Sequence, residues 1–400
     1  MTVTERRAGH IRDLPLRRLR DLADRGQFTL GIEEEYFPHD LTSNKAATRT
    51  PEALFEQANE ATGGRVEREF LQAQAEAVTR PHSSMSAARA ELQFIRNILG
   101  GLAREHGFAL LASGTHPTAD WRQSEQTDNE RYDRAMNDLR MLGQRDMLCG
   151  MHVHVAVPDP GRRVDLMYRL IPYLPLFVAL STSSPFWTSR MTGLKSYRLT
   201  AYDELPRTGL PEPFRTNEEY DSYVDALVKA RIIDDSSFIW WMLRPSESYP
   251  TLELRATDCC TRLEDAIAIA ALFRILVRHL YQNPRVNDDS NSVTRALTIE
   301  NKWRAQRYGV KGTFVTGEGE ISVGEQLERV LELTAEDSLA LECPEAVDCR
   351  RIVAEGASAD VQLDIFRAHA AQSEREALGA VIDWIARKTS QGGAGIETVP

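Results

Sequence analysis

Residues 28–37 have the sequence FTLGIEEEYF, which alternates apolar and polar side chains in the manner of a β-strand. Glu33 and Glu35 share one face of this strand, about 7 Å apart, and repel each other unless a cation lies between them. Such hard oxygen ligands suit Mg²⁺ or Mn²⁺, although a solvated acidic edge explains the pattern equally well. Glu34 falls on the apolar face, where we expect it to make a structural hydrogen bond.

Residues 151–157, MHVHVAV, alternate in the same way and predict another strand. His152 and His154 share one face of it, and apolar side chains occupy the other. The His-x-His spacing occurs in metal sites, but it is equally compatible with a structural pair. The sequence alone leaves both interpretations open.

A third alternating stretch, residues 251–255 (TLELR), places Glu253 and Arg255 on one face. The favoured interpretation is a plain salt bridge, and the alternative is a metal ligand beside a phosphate clamp. Glu69 and Glu76 lie in the segment EREFLQAQAEAVT, whose periodicity fits a strand or a helix. The pattern alone favours two exposed glutamates there.

Four cationic side chains stand near these stretches: Arg190, Lys195 and Arg198 in SRMTGLKSYR, and Arg244 in LRPS. The whole chain carries 48 Lys and Arg against 59 Asp and Glu, a net charge of −11. In so acidic a protein, a cationic cluster beside carboxylates predicts an anion-binding pocket. The same net charge argues against nucleic-acid binding, because an acidic chain repels the phosphate backbone.

The composition of the 400-residue chain, 42% hydrophobic and 27% charged, is that of a globular protein. No apolar run approaches the roughly 20 residues of a membrane helix, so we expect no membrane partner. The Arg-rich N-terminus lacks the apolar stretch of a signal peptide. The five cysteines are odd in number and contain no C-x-x-C motif, which suits the cytoplasm.

The order of the predicted elements indicates an α+β fold, with separated antiparallel strands and a helical C-terminal third. Further strands are predicted over residues 108–113 and 237–243. Helices are predicted over 51–62, 86–106, 129–145, 163–181 (kinked by its prolines), 217–230, 262–282, 290–308, 323–336, 342–355 and 358–388. The strands are spaced too irregularly for a doubly wound parallel sheet, and no P-loop motif is present.

Seven segments, in this order, resemble the carboxylate–amine ligases of the type-2 glutamate–cysteine ligase group. They are LGIEEEYF, QAQAEAVTRP, GMHVHVAVP, SSPFWTSRMTGLKSYR, LRPSESYPTLELRATD, RAQRYG and GASADVQL. The first six segments cover roughly residues 28–310. Each segment alone is weak evidence for the family, and the resemblance is specific because the segments occur together in the family's order. The resemblance implies a fold related to glutamine synthetase: a curved, mostly antiparallel sheet that forms a funnel, with helices outside.

The resemblance also implies an ATP-dependent reaction, in which a carboxylate becomes an acyl phosphate and an amine converts it to an amide. The implied cofactors are ATP and Mg²⁺, with Mn²⁺ as an alternative. By similarity, the metal ligands are Glu33, Glu35, Glu69, Glu76, His152 and Glu253. The catalytic residues are Arg255 and Arg190, and the cofactor- or substrate-binding residues are Arg244, Arg198, Lys195 and His154.

The best specific expectation is that glutamate, L-cysteine and ATP give γ-glutamylcysteine, ADP and phosphate, with another physiological amine as an alternative to cysteine. Two other functions remain open: a small-molecule phosphotransferase without an amine step, and a non-catalytic Mg–ATP sensor.

The resemblance implies a homodimer, and we expect a single catalytic domain over residues 27–390, helical from about residue 262, between an extension (1–26) and a tail (391–400). One departure is Pro38-His39-Asp40, where the family pattern predicts a more apolar continuation of the first strand. We expect this departure to alter the substrate mouth.

Overall fold

The strand predicted at residues 28–37 forms β1, Leu30–Asp40, in the middle of the main sheet. It runs on to Asp40 because its last residues pair with an additional partner strand, Phe108–Leu111. The structure is a computed structural model and describes residues 26–371 and 373–390. The tail predicted at 391–400, and all but the last residue of the predicted N-terminal extension, lie outside the described residues.

Every strand pair in the described part of the chain is antiparallel, which confirms the predicted fold class. The main sheet has the order β3-β4-β1-β6-β10-β9 and is not closed, while β2 and β5 pair with the C-terminal half of β1. The strands are β1 Leu30–Asp40, β2 Lys45–Ala46, β3 Val66–Arg68, β4 Ala75–Val78, β5 Phe108–Leu111, β6 Gly150–Ala156, β7 Phe186–Trp187, β8 Arg190–Met191, β9 Leu243–Pro245, β10 Thr251–Asp258, β11 Thr313–Thr316 and β12 Gly319–Ser322.

Helices pack against the sheet and dominate the C-terminal third, as predicted. They are α1 Glu52–Thr62, α2 Met85–Glu105, α3 Glu130–Leu139, α4 Met141–Gln144, α5 Arg163–Leu170, α6 Leu174–Ser181, α7 Tyr197–Tyr202, α8 Asn217–Lys229, α9 Leu263–Gln282, α10 Ser292–Tyr308, α11 Val323–Leu333, α12 Ala335–Leu341, α13 Cys349–Glu355, α14 Ser358–His369 and α15 Glu374–Ser390. Six short 3₁₀ turns complete the described part: Trp121–Gln123, Pro160–Arg162, Ile171–Tyr173, Ser236–Phe238, Gly309–Lys311 and Pro344–Asp348.

Several predicted helices are split in the structure. The helix predicted over 129–145 divides into α3 and α4 at Arg140, whose φ of 54° lies in the left-handed region. The kinked helix over 163–181 is interrupted by a 3₁₀ turn that contains Pro172, because proline offers no amide hydrogen to the helical ladder. The hairpins β7–β8 and β11–β12 were not predicted.

The strand predicted over 237–243 is wrong, because this segment holds a 3₁₀ turn and an irregular stretch. The Asp235 side chain accepts a hydrogen bond from the Ser237 amide at 2.8 Å. The Arg244 guanidinium donates to the carbonyl oxygens of Ser237 and Ile239, each at 2.8 Å. These local bonds occupy the backbone groups that a strand would pair, so β9 begins only at Leu243, the last residue of the predicted strand.

Two large hydrophobic clusters surround the sheet. One joins the apolar face of β1 around Ile32 to the almost fully buried α9, and the other joins the end of β1 around Phe37 to α15. Burial contributes about 25 cal/mol for each Å² of apolar surface, so both clusters tie the helices of the C-terminal third to the N-terminal strands. The division into one domain over 27–390 stays a prediction.

Glu34 makes the structural hydrogen bonds that its position on the apolar face predicts. Its carboxylate accepts from Arg96 at 2.6 and 2.7 Å and from the Tyr36 hydroxyl at 2.5 Å, and all three residues are buried. A carboxylate that is buried without partners is costly, so this hydrogen-bond network stabilises Glu34 in the core. Its side chain lies on the face of β1 opposite to that of Glu33 and Glu35.

One stretch, Pro160–Ser181, has the length and hydropathy of a membrane span, so the expectation that no apolar run approaches that length is wrong. The most apolar window of this stretch is 89% buried inside the protein. Its side chains belong to the larger hydrophobic cluster, and packing in the core accounts for their apolar character.

Candidate active site

Four strands of the main sheet, β4, β1, β6 and β10, bring predicted site residues next to each other. The pairs in register are Glu35 with Glu76, Glu33 with His152, and His154 with Glu253. Side chains of directly opposed residues lie on the same face of antiparallel strands, so these six gather on one side of the sheet. Residues from distant parts of the sequence thereby form one site.

The segment with ambiguous periodicity is partly turn and partly strand. Glu69 directly follows β3 in an irregular stretch and its carboxylate accepts a hydrogen bond from the Phe70 amide at 2.9 Å, while Glu76 lies on β4. Both glutamates are half-buried and line a cavity. The interpretation of two exposed glutamates is therefore wrong.

The Glu33 carboxylate connects the two histidines of β6. One of its oxygens lies 3.2 Å from Nδ1 of His152, and the other lies 3.1 Å from Nε2 of His154. Glu35 lies 3.7 Å from Nε2 of His152 and accepts a hydrogen bond from the Gly150 amide at 2.5 Å. Both imidazoles are thus held by carboxylates on the neighbouring strand.

Gly150 is required at the start of β6 by close packing. A Cβ atom at this position would collide with the guanidinium of Arg198 and lie 3.0 Å from Nε2 of His152. The missing side chain lets Arg198 pass directly beneath the site.

A cavity of about 310 Å³ opens over this face of the sheet. Eight of the predicted residues line it: Glu33, Glu35, Glu69, Glu76, His152, Arg198, Arg244 and Arg255. An adjoining cavity of about 560 Å³ shares four lining residues with it: Ala135, Leu139, Phe238 and Trp240. The acidic and cationic groups therefore face one common space that continues outward past aromatic side chains.

Three groups of ligand atoms lie close enough together to hold a metal ion, with all atoms of a group within 4.8 Å of one another. The groups are Glu33, Glu76 and His152; Glu33, His154 and Glu253; and Glu35, Glu69 and Glu76. Carboxylate oxygens with at most one imidazole form a hard donor set that fits Mg²⁺ or Mn²⁺. The arrangement adds His154, predicted for cofactor binding, to the candidate metal ligands.

The protonation of these carboxylates also fits a site for cations. Burial raises the pKa of Glu69 to about 8, with a further contribution from the Glu35 carboxylate. Burial, followed by repulsion from Glu69, raises the pKa of Glu76 well above its usual range. For Glu33, burial is outweighed by hydrogen bonds from the two histidines, so its pKa lies far below the usual range. A bound cation would relieve the repulsion within this set.

Glu253 forms the salt bridge that its spacing from Arg255 predicts. Its carboxylate accepts from Arg244 at 2.8 and 3.2 Å and from Arg255, and it is only 2% exposed. Arg255 also donates to the Tyr202 hydroxyl at 3.3 Å, and its Nε atom is buried with no hydrogen-bond partner in the described part of the chain. The carboxylate thus fixes two arginines at the cavity wall.

Arg198 supports the same wall from beneath. It donates to the carbonyl oxygens of Arg255 and Thr257 at 3.3 and 3.2 Å. The register of β10 against β6 shifts between Leu254 and Thr257, and such bulges bend a strand and redirect its side chains. Arg198 therefore holds the backbone in the irregular part of β10 that carries Arg255.

The predicted cationic cluster is divided by the fold. Arg190 is exposed on the β7–β8 hairpin, and Lys195 donates to Asp360 at 2.6 Å. Neither side chain lines the cavity, so the roles implied for them by resemblance stay predictions. Arg198, Arg244 and Arg255 supply the positive charge of the cavity instead.

The departure at Pro38-His39-Asp40 lies away from the cavity. These residues continue β1, and the buried His39 lies 3.1 Å from a ring nitrogen of the buried His116. None of the three lines either cavity, so the structure gives no support to an altered substrate mouth.

Sequence reasoning missed several residues of the cavity wall: Phe70, Gln74, Tyr132, Asp146, Tyr202, Phe238 and Trp240. Gln74 belongs to a family-like segment, and its amide donates to the Leu148 carbonyl oxygen at 2.7 Å, which joins the turn after β3 to the approach of β6. Asp146 lies in an irregular segment without periodicity. Its position shortly before the His-x-His strand is the one signal that could have indicated it.

The chain matches the model of glutamate–cysteine ligase family 2 over residues 29–383. A protein of Bradyrhizobium sp. (strain ORS 278) with the provisional name glutamate–cysteine ligase 2 is 52% identical over 364 residues, which cover 91% of this chain and 88% of that protein. A protein of Rhodospirillum rubrum with the same provisional name is 44% identical, covering 90% of this chain and 95% of its own length.

Two solved structures share the fold at low sequence identity. The bifunctional glutathione synthetase from Pasteurella multocida superposes with a TM-score of 0.70 at 14% identity, covering 94% of this chain and 54% of that longer protein. The glutamate–cysteine ligase from Francisella tularensis, solved in complex with AMP, gives a TM-score of 0.67 at 13% identity and covers 91% of this chain and 89% of its own. These likenesses confirm the predicted fold class.

Proposed function

Because this chain belongs to glutamate–cysteine ligase family 2, and is thus an ATP-dependent carboxylate–amine ligase, we propose that it joins the γ-carboxylate of glutamate to the amino group of L-cysteine. The products are γ-glutamylcysteine, ADP and phosphate. The provisional names of the relatives at 52% and 44% identity support this choice of substrates. Another small amine stays the alternative to cysteine.

The reaction has two steps, and both place negative charge on phosphoryl oxygens. In the first, an oxygen of the substrate carboxylate attacks the γ-phosphorus of ATP, and the bond to the bridging oxygen of ADP breaks. In the second, the amine nitrogen attacks the acyl carbon, and phosphate leaves. Catalysis of this kind depends on positioned cations and on the exclusion of competing water.

The observation that carries the proposal is the meeting of metal-ligand groups and three arginines at one cavity, which is lined by every member of two groups and by Glu33 of the third. We assign Mg²⁺ to the ligand groups, where it supplies positive charge to the ATP phosphates when bound. The residues that would hold it are Glu33, Glu35, Glu69, Glu76, His152, His154 and Glu253.

We assign Arg255 to the transferring phosphoryl group. Its guanidinium is held by Glu253 and Tyr202, and it keeps a buried Nε without a partner in the described part of the chain. A planar, oriented guanidinium suits the equatorial oxygens of that group. Arg244 stands on the other side of Glu253 and is assigned to a phosphate or to the substrate carboxylate.

The proposal is tested by ADP release from Mg–ATP and glutamate across a panel of amines that includes L-cysteine, with products identified by mass spectrometry. We expect release to depend on the amine and the product with cysteine to be γ-glutamylcysteine. An amide with a different amine at a higher rate would replace cysteine as the substrate. Release of ADP with no amide from any amine would contradict the ligase assignment.

The same assay separates the two alternative functions. A phosphotransferase would release ADP at its full rate without any amine and would leave a stable phosphorylated product. A sensor would bind Mg–ATP, measured by calorimetry, without turnover.

The assembly and compartment are further parts of the proposal. We propose the homodimer that the family resemblance implies, and light scattering on the purified protein tests it. We propose a reducing compartment such as the cytoplasm, because all five cysteines lie in the described residues as buried thiols outside any disulfide.

A further inference from the structure

Asp146 differs from every other carboxylate that lines the cavity of about 310 Å³ over the sheet. Five carboxylates of the described residues face this space: Glu33, Glu35, Glu69, Glu76 and Asp146. The four glutamates all belong to three-membered ligand groups, and Asp146 belongs to none of them. Asp146 is therefore a cavity carboxylate with no place in the metal arrangement.

The position of Asp146 is fixed by its neighbours in the chain. Its amide donates to the Gly143 carbonyl oxygen at 3.2 Å, at the end of α4. The preceding Arg145 forms an ion pair with Glu204 at 2.7 Å and lies over the ring of Trp121. These contacts hold the segment in place while the Asp146 carboxylate makes no hydrogen bond or ion pair within the described part of the chain.

The surroundings of Asp146 favour a cation at contact distance. Burial, followed by repulsion from Glu35, raises the pKa of Asp146 to about 7, although Arg198 and Arg255 act in the opposite direction. Arg255 is bound to Glu253 and Arg198 donates to backbone carbonyls, and neither guanidinium forms an ion pair with Asp146 in the described part of the chain. The Asp146 carboxylate is therefore open to a cation that a ligand brings into the cavity.

Among the reactants of an ATP-dependent amide synthesis, the attacking amine is the one that approaches the acyl phosphate as a cation at neutral pH. If the carboxylate substrate is glutamate, its own ammonium group lies three carbons away from the reacting carboxylate. Asp146 lies within electrostatic range of Arg255, which we assign to the transferring phosphoryl group. The ammonium of the attacking amine is the one that must come within bonding distance of the acyl carbon, beside this phosphoryl group.

We propose that Asp146 binds the ammonium group of the attacking amine and orients its nitrogen toward the acyl carbon, an inference that rests on the proposed function. As the nitrogen–carbon bond forms, the bond from the acyl carbon to the phosphate oxygen breaks, and phosphate leaves with the electron pair. The ammonium loses two protons in total, of which one ends on phosphate and the other passes to solvent. Asp146 acts as a positioning residue.

The adjoining cavity gives the amine a path to this position. Ala135 and Leu139, which precede Asp146 in the same part of the chain, line both the cavity of about 310 Å³ and the adjoining cavity of about 560 Å³. Phe238 and Trp240 form the other part of this shared wall. None of these four residues is a candidate metal ligand, so an amine that enters through the adjoining cavity meets no metal ligand at the wall that the two cavities share.

The test is Asp146→Asn, which keeps the shape of the side chain and removes its charge. With the amine that the wild type uses best, we expect the KM for the amine to rise by about tenfold or more, the equivalent of one ion pair. The concentrations of Mg²⁺ and ATP that give half-maximal rate should stay within about twofold. The matched control is Asp383→Asn, an exposed aspartate on α15 that should leave all three values unchanged.

A rise in the Mg²⁺ requirement with an unchanged KM for the amine would make Asp146 a metal ligand and overturn the proposal. Unchanged values for all substrates would overturn it as well, while amine-dependent turnover of the wild type would leave the proposed function intact. A wild type without amine dependence would refute both. Asp146→Glu keeps the charge and should raise the amine KM by less than Asp146→Asn. If the Asn variant does not fold, Asp146→Ser takes its place, and an amine KM equal to wild type in that variant decides against the proposal.

Discussion

Glu33 and His152 lie directly opposite each other on β1 and β6, with Oε2 of the carboxylate 3.2 Å from Nδ1 of the imidazole. The second oxygen of Glu33 reaches His154 on the same strand. Glu33 is also common to two of the three metal-ligand groups. This carboxylate therefore joins the parts of the candidate site that the neighbouring strands supply.

Replacing Glu33 with glutamine should reduce turnover by about 100-fold or more while the protein stays folded, because the amide keeps the side-chain shape but loses the charge that a metal ion requires. The half-saturating Mg²⁺ concentration should rise. Both are measured by ADP release over a range of Mg²⁺ concentrations, with circular dichroism to verify the fold.

Glu67→Gln is the matched control for this prediction. Glu67 lies opposite Glu76 on β3, but it is exposed and does not line the cavity. We expect near-normal turnover for this variant. A Glu33→Gln enzyme as active as Glu67→Gln would refute the metal assignment.

Arg255→Lys should reduce kcat by about 10- to 100-fold, because a point charge cannot reproduce the planar fork that binds two groups at once. The lysine can still pair with Glu253, so the midpoint of urea unfolding should change little. Steady-state kinetics and urea titration together check both parts. An unchanged kcat would return Arg255 to a purely structural salt bridge.

Replacing Glu253 should lower the free energy of unfolding more than replacing Arg255 does. The structure buries the Glu253 carboxylate between Arg244 and Arg255. Glu253→Gln leaves two buried guanidinium groups without their counter-charge and should lower the free energy of unfolding by about 3 kcal/mol. Urea unfolding measures this, and a wild-type midpoint would show that water or another group compensates.

Stabilisation by Mg²⁺ should increase with pH. The pKa of Glu69 is raised to about 8 in the folded protein, above its ordinary value of 4.5. The stability that its protonated form contributes is present below the unfolded pKa and is lost as pH rises through the folded one. Divalent cations replace the lost proton, so the gain in Tm from Mg²⁺ should be larger near pH 8.5 than near pH 6.

Thermal melts with Mg²⁺ or with EDTA at these two pH values measure the effect. Glu76 shifts in the same direction as Glu69, so both carboxylates add to the expected trend. A gain in Tm that is equal at both pH values would show that neither carboxylate contacts the cation.

The strand periodicity of the sequence determined which side chains share a face, since successive residues of a strand alternate in direction whatever the strand later pairs with. Glu33 with Glu35, and Glu253 with Arg255, were paired correctly for this reason. Motifs without periodicity were harder. The glutamates at 69 and 76 belong to an irregular stretch and a short strand, and the sequence favoured an exposed position, whereas the fold half-buries both.

Tertiary structure alone decided which faces meet. The cations at 190 and 195 stand beside Arg198 in the sequence, yet the hairpin exposes the first and Asp360 engages the second. Asp146 enters the cavity from an irregular segment that carries no pattern. Local alternation is thus a property of the chain, whereas the choice of neighbours depends on sheet order and on side-chain partners far away in the sequence, which no local pattern encodes.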